Sequence, residues 1–161
     1  MSTENTTATY DRLLASIGRR ADEIGPRPVV AHWPHVGSAY DGLVIVGQAL
    51  YGWPDDFPAS QFRSREGRAE ALRVARARST ERADPLDWIA THPVRTSPFW
   101  SVSRIVAEAL VPDGGAPWYA RLAWVNLYPA APEEPPGNPG GPLRDWREAL
   151  QEYAKLLPGV E

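Results

Sequence analysis

The chain has 161 residues, of which 43% are hydrophobic and 23% charged, and it carries a net charge of −3. That composition fits one globular domain with a real core and argues against a dedicated nucleic-acid binder, which would be strongly basic. There is no cysteine, which excludes disulfides and thiolate metal sites and fits a cytoplasmic location.

In chain order, residues 1–9 are polar and read as a disordered tail ahead of a single domain over residues 10–161. They contain no apolar signal core. A helix is predicted from about Tyr10 to Ile24, where Leu13, Leu14 and Ile17 fall at helical spacing before Gly25-Pro26. A loop rich in proline and aromatics follows to residue 41, with Pro28–Ala31 as a candidate strand inside it. Leu43–Val46 is apolar at four consecutive positions, the pattern of a strand buried on both faces in a parallel sheet.

Residues 52–60 read as loop and 61–79 as helix, rich in alanine, arginine and glutamate. From Ser60 to Ala83 seven arginines stand against three glutamates, a local charge of +4 that leaves −7 for the rest of the chain. Such a patch can steer anions, although a solvated helix face laced with charge pairs is the plainer reading. A loop with a short turn around Pro85–Ile89 leads to a helix opening at Ser97-Pro98 and running to Leu110. Its apolar face is Phe99, Val102, Ile105, Val106 and Ala109.

A second apolar strand is predicted over Arg121–Leu127. The proline- and glycine-rich stretch from Tyr128 to Leu143 is loop. Leu143–Leu157 forms the last predicted helix, with Leu143, Trp146, Leu150, Tyr153, Ala154 and Leu157 on one side. This order predicts an α/β class, a three-layer α/β/α arrangement on a short parallel sheet. Two strands make a poor sheet, so either a third lies in the early loop or the C-terminal half of the fold is incomplete. No apolar run is long enough to span a bilayer, and a monomer without membrane contact is expected.

Ligands of open α/β sheets bind beyond the carboxyl ends of the strands. Here those ends are Gly47-Gln48-Ala49-Leu50-Tyr51-Gly52 and Asn126-Leu127-Tyr128-Pro129. Each places a side-chain amide at or beside the terminus. An amide donates and accepts together, so it can read the edge of a planar heterocycle. A glycine at the strand end lets backbone approach a ligand closely. Each residue also has a plain structural role. Asn126 can cap a turn, Gln48 can satisfy loop backbone, and Tyr51, Phe99 and Trp100 can simply pack. Asp55 and Asp56 can form a solvated turn. His32-Trp33-Pro34-His35 offers two imidazoles but no third ligand, so no metal is expected.

VIVGQALYG resembles the first motif of the uracil-DNA glycosylase superfamily, in which an apolar strand ends in Gly-Gln-Asp-Pro-Tyr-His or a related glycine-led sequence. LAWVNLYPAAP is similar to that family's second strand, whose terminal asparagine recognises the uracil edge. SPFWSVSRIVAEAL resembles the helix between them, which supplies an aromatic that stacks on the extruded base. The three pieces keep the family's order over about residues 40–157.

The resemblance implies a nucleobase or DNA as partner, no cofactor, and hydrolysis of an N-glycosidic bond removing uracil or a damaged base. The alternative is a non-catalytic nucleotide- or protein-binding module on the same fold. It implies substrate contacts from Gly47, Gln48, Tyr51, Phe99 and Asn126, with Tyr51 rejecting the methyl of thymine. The family's catalytic aspartate is replaced by Ala49, its proline by Leu50 and its histidine by Gly52. The nearest carboxylates are Asp55 and Asp56, with Glu133 and Glu134 after the second strand. The family's late His-Pro-Ser motif has no counterpart up to Glu161, and His92-Pro93 stands on the wrong side of the second strand.

Overall fold

The computed structural model describes residues 3–47, 56–91, 97–111, 115–126 and 128–132. The first helix, α1, spans Thr3–Arg19, and a single turn, α2, spans Ala21–Ile24. The stretch expected to be a disordered tail is thus helical from Thr3, and its Thr6 and Thr9 are buried. Tyr10, Leu13, Leu14 and Ile17 form the buried stripe of α1 at the spacing that one helix face requires.

Two short strands follow within the early loop, β1 (Pro28–Ala31) and β2 (His35–Val36), and then β3 (Leu43–Gly47). Strand β4 (Asp56–Pro58) leads through a 3-10 turn at Ala59–Arg63 into α3 (Arg65–Thr80). Ser64 caps α3, its hydroxyl accepting from the Gly67 N–H at 2.9 Å. The short α4 (Trp88–Thr91) and the longer α5 (Pro98–Leu110) come next, with Ser97 capping α5 and Pro98 in its first turn. Strands β5 (Leu122–Asn126) and β6 (Ala130–Pro132) complete the described chain. The last predicted helix, Leu143–Leu157, lies outside the described residues.

The fold is α/β, and among the described residues six short strands form two three-stranded sheets, ordered β4-β1-β6 and β2-β5-β3. Only β3 and β5 run parallel; the other three pairings are antiparallel. The first sheet is therefore antiparallel and the second mixed, in place of the purely parallel sheet expected. The candidate Pro28–Ala31 is β1, whereas β2 in the early loop, β4 in residues 52–60 and β6 in the stretch after Tyr128 form where loop was expected.

Neighbouring residues in a strand face opposite ways. Val29, Val44 and Val125 point to one side, where α1 and α3 close a cluster around Leu14, Phe62 and Leu72. Val30, Ile45 and Trp124 point to the other, into a cluster with Leu86, Ile89 and Trp100 beneath α4 and α5. Helical layers thus cover both faces, and the carboxyl ends of β3 and β5 emerge together between them.

The first layer is held by close backbone approach. A Cβ at Gly18 would collide with the backbone carbonyl of Phe62 and the Arg63 nitrogen. Arg68 then ties α3 back to α1, donating to Asp11 at 2.8 Å and to the Phe62 carbonyl at 3.1 Å. Because backbone cannot swing aside as a side chain can, Gly18→Ala should part α1 from the 3-10 turn. A loss of about 1–3 kcal/mol is expected, read as a lower urea midpoint with an unchanged slope.

Candidate functional site

The site starts from a register. Parallel pairing sets Leu43 against Leu122, Val44 against Ala123 and Ile45 against Trp124. The final pair, at the carboxyl edge, is Gly47 with Asn126. Slipping β5 by one residue would turn Leu122 and Trp124 out of their cluster, so core packing fixes which residues end opposite each other.

Asn126 is 1% exposed. Neither its Oδ1 nor its Nδ2 has a hydrogen-bond partner among the described residues. Leaving a buried polar group unpaired costs on the order of 1–3 kcal/mol, so native structures seldom do it without a reason. Gly47 makes room for this amide. A Cβ there would overlap the Asn126 Oδ1 and stand 3.2 Å from the Trp124 Nε1. The glycine is needed for the side chain opposite it, and not for an unusual backbone angle.

Aromatic rings wall this face. Trp124, two residues before Asn126 and on the same side of β5, lies 5.2 Å from Trp100 and 5.9 Å from Trp88. Trp100 in turn meets Phe99 edge-on at 4.7 Å. The rings lead from beside the amide to the partly exposed Phe99 on the first turn of α5.

The loop after β1 joins from the other side. The His32 N–H donates to the Pro129 carbonyl at 2.7 Å, just beyond β5. The His32 ring stacks on His35 at 5.1 Å and meets Trp124 edge-on at 4.6 Å. His35 lies opposite Trp124 in the sheet register. Its Nδ1 is 2.8 Å from the Trp33 carbonyl, which can only accept, so that nitrogen carries the proton.

Both imidazoles are neutral. Burial pushes His32 well below its ordinary value, and His35 beside it pushes the same way. His35 is lowered to about 4, mainly by burial; the Trp33 carbonyl opposes the shift and Arg78 adds to it. Among the described residues no group of three or more His, Cys, Asp or Glu side chains could hold a metal ion.

Of the residues singled out by sequence, Gly47 and Asn126 are brought face to face, and Phe99 connects to them through Trp100 and Trp124. Asp56 lies on β4 opposite Val30, in the other sheet, and is exposed. Gln48, Tyr51 and Asp55 lie outside the described residues, as do Ala49, Glu133, Glu134 and His92-Pro93. Trp124 and the packing role of the two histidines were missed. The period-2 placement of Trp124 on the Asn126 side of its strand is the signal for the first.

The arginine-rich segment is laced with charge pairs. Arg63 meets Asp22, Arg68 meets Asp11, Arg73 meets Glu70 and Arg82 meets Asp87, at 2.6–2.8 Å. An open groove of about 650 Å³ runs between α1 and α3, past Asp11, Arg65 and Arg76. It belongs to the helical layer on the far side of the sheet from the Asn126 side chain.

No protein-family model, curated protein or solved structure matches the chain. No helix among the described residues is long and apolar enough to cross a membrane.

Gly47→Ala should force the Asn126 amide out of position, lowering the melting midpoint by several degrees. The histidines give a pH test. Their folded values are depressed, so below about 6.5 the unfolded chain takes up protons that the folded chain refuses. Stability should be full above that pH and fall as pH drops toward about 4, where His35 begins to protonate in the fold. The decline should approach about 1.4 kcal/mol per pH unit for each histidine. His35→Asn keeps a donor near the Trp33 carbonyl but cannot titrate, and should remove about half of that slope. Urea melts between pH 7 and pH 5 measure it.

Proposed function

We propose that this chain is a uracil-DNA-glycosylase-like domain that recognises a nucleobase, with the Asn126 carboxamide reading the base edge. The observation that carries this reading is the amide itself. It is buried, lacks a partner among the described residues, and sits at the carboxyl ends of two parallel strands against a glycine that leaves it room. An amide donor and acceptor side by side complement the carbonyl and N–H on one edge of uracil. Phe99 stacks on the base, and Gln48 and Tyr51 complete the pocket in this reading.

Removing the base from DNA requires the nucleotide to leave the stack. As the N-glycosidic bond breaks, negative charge grows on the base and positive charge on the sugar. Fixed donors such as the Asn126 amide stabilise the first. A carboxylate must stabilise the second and orient water, and Asp55 and Asp56 are the candidates. The substrate is then uracil or a damaged base in DNA. A second reading, a non-catalytic nucleotide- or protein-binding module with the same pocket, is favoured by Ala49 at the family's aspartate position and by Asp56 lying on a separate sheet.

Asn126→Leu separates a functional amide from a structural one. Leucine has nearly the same size and removes the unpaired polar atoms, so the variant should be more stable than the parent by about 1 kcal/mol. It should also lose binding of a uracil-containing single-stranded oligonucleotide, measured by titration against the thymine oligonucleotide. A variant that is destabilised and binds as before would remove the assignment. Excision of uracil by the parent, lost in Asp55→Asn or Asp56→Asn, supports hydrolysis; binding without excision supports the second reading.

A further inference from the structure

Outside the candidate site, α5 leaves Val102 and Ile105 59% and 61% exposed, while its small Ser103 and Ala107 face the core. That surface is apolar throughout and specifies no partner chemistry. The groove between α1 and α3 does specify one. Arg65, Ala69, Leu72 and Arg76 of α3 stand at intervals of four, three and four residues, so they form one line along the helix. Ala69 and Leu72, with Ala8 of α1, make the middle of the groove apolar, and an arginine closes the line at each end. The two ends are about 16 Å apart along the helix axis.

The charges in the groove are unequal. Arg65, Arg73 and Arg76 line it against one carboxylate, Asp11. Asp11 is already answered by Arg68, which donates to its two oxygens at 2.8 and 3.5 Å. Arg73 is committed to the two oxygens of Glu70, at 2.8 and 2.6 Å. Two positive charges remain, Arg65 and Arg76, and neither meets a carboxylate among the described residues. Arg76 is half-buried and lies over the Trp33 ring at 5.1 Å, and Trp33 packs on Tyr10 at 4.9 Å. That contact holds the guanidinium at the end of the groove without neutralising it. A solvated surface charge accounts for the exposed Arg65. It does not account for a half-buried arginine fixed on an indole beside an apolar trough of about 650 Å³, a volume that suits a small organic ligand.

We propose that this groove binds an elongated organic dianion, with one acidic group on Arg65, the other on Arg76, and an apolar chain between them over Ala69 and Leu72. Guanidinium forks match the paired oxygens of a carboxylate or phosphate. The apolar middle rejects a molecule charged along its whole length, because burying charge there without a partner is costly. The separation of the arginines sets a length, since a short dianion leaves one of them unused. Leu72 belongs to the cluster on the opposite face of the sheet from Trp124, so this site is separate from the Asn126 amide.

Straight-chain dicarboxylates serve as the ruler. Calorimetric titration in low-salt buffer keeps the charge pairing least screened. Decanedioate should bind at least about tenfold tighter than butanedioate, which is too short to reach both ends. It should exceed its own monomethyl ester by as much, because the ester keeps the length but only one charge. Arg65→Gln and Arg76→Gln should each erase the advantage over the ester. Arg104→Gln, which removes a charge from α5, should bind decanedioate as the parent does. Equal affinity of the parent for decanedioate and either control would overturn the proposal. So would an equal loss in Arg104→Gln, which would mean that net charge alone is read. If Arg76→Gln disturbs folding by circular dichroism through its lost contact with Trp33, the exposed Arg65→Gln decides, with the same outcomes.

Discussion

The pairing of β3 with β5 is the constraint on which the rest depends. Five residues of each strand run side by side, and the side chains between the helical layers allow one register. That register ends with Gly47 opposite Asn126. The absent Cβ of one residue is the space occupied by the amide of the other. Cores are close-packed, so a carboxamide placed there cannot move far and must face the carboxyl edge. The position of this buried polar group is set by apolar packing one and two residues earlier in the strand.

The polar groups near that edge weaken the fold as they stand. An amide without partners among the described residues, and two imidazoles stacked on each other beside Trp124, each cost free energy that an all-apolar cluster would not. Yet the surrounding cluster is dense in large rings, Trp88, Trp100 and Trp124, whose burial offsets such terms. A locally costly polar group in a rigid apolar setting is the usual form of a binding site, because preorganised donors need no reordering when the ligand arrives. The exposed stripe of α5 is a different matter, an apolar surface unmatched by the described residues around it.

Much of this was legible in the sequence, and the misses have physical causes. Leu43–Val46 and Leu122–Val125 announce themselves as consecutive apolar runs, and Ser97-Pro98 marks the start of α5. Of the four remaining described strands, β1 was a candidate by its Val29-Val30 pair; all four are two to four residues long and three contain proline, so no period can develop within them. The start of α1 is hidden because Thr6 and Thr9 look solvated, although both are buried. On α5 the apolar stripe was legible but its destination was not, since hydrophobicity cannot indicate that Ser103 and Ala107 face the core. Ser103 can do so because its hydroxyl donates to the Phe99 carbonyl at 2.8 Å. At the site, Asn126 was legible by position, and its lack of a partner among the described residues only by structure.

The most direct measurement is of the Asn126 side-chain amide itself. In a nitrogen-labelled sample its two N–H resonances can be followed by NMR, assigned by their loss in a conservative variant. Titration with uracil-containing single-stranded DNA should move both resonances, shift the N–H beside the oxygen downfield and slow its exchange with water, and the thymine strand should do neither. Resonances unmoved at saturating uracil DNA, with shifts confined to other residues, would contradict the claim that this amide reads the base.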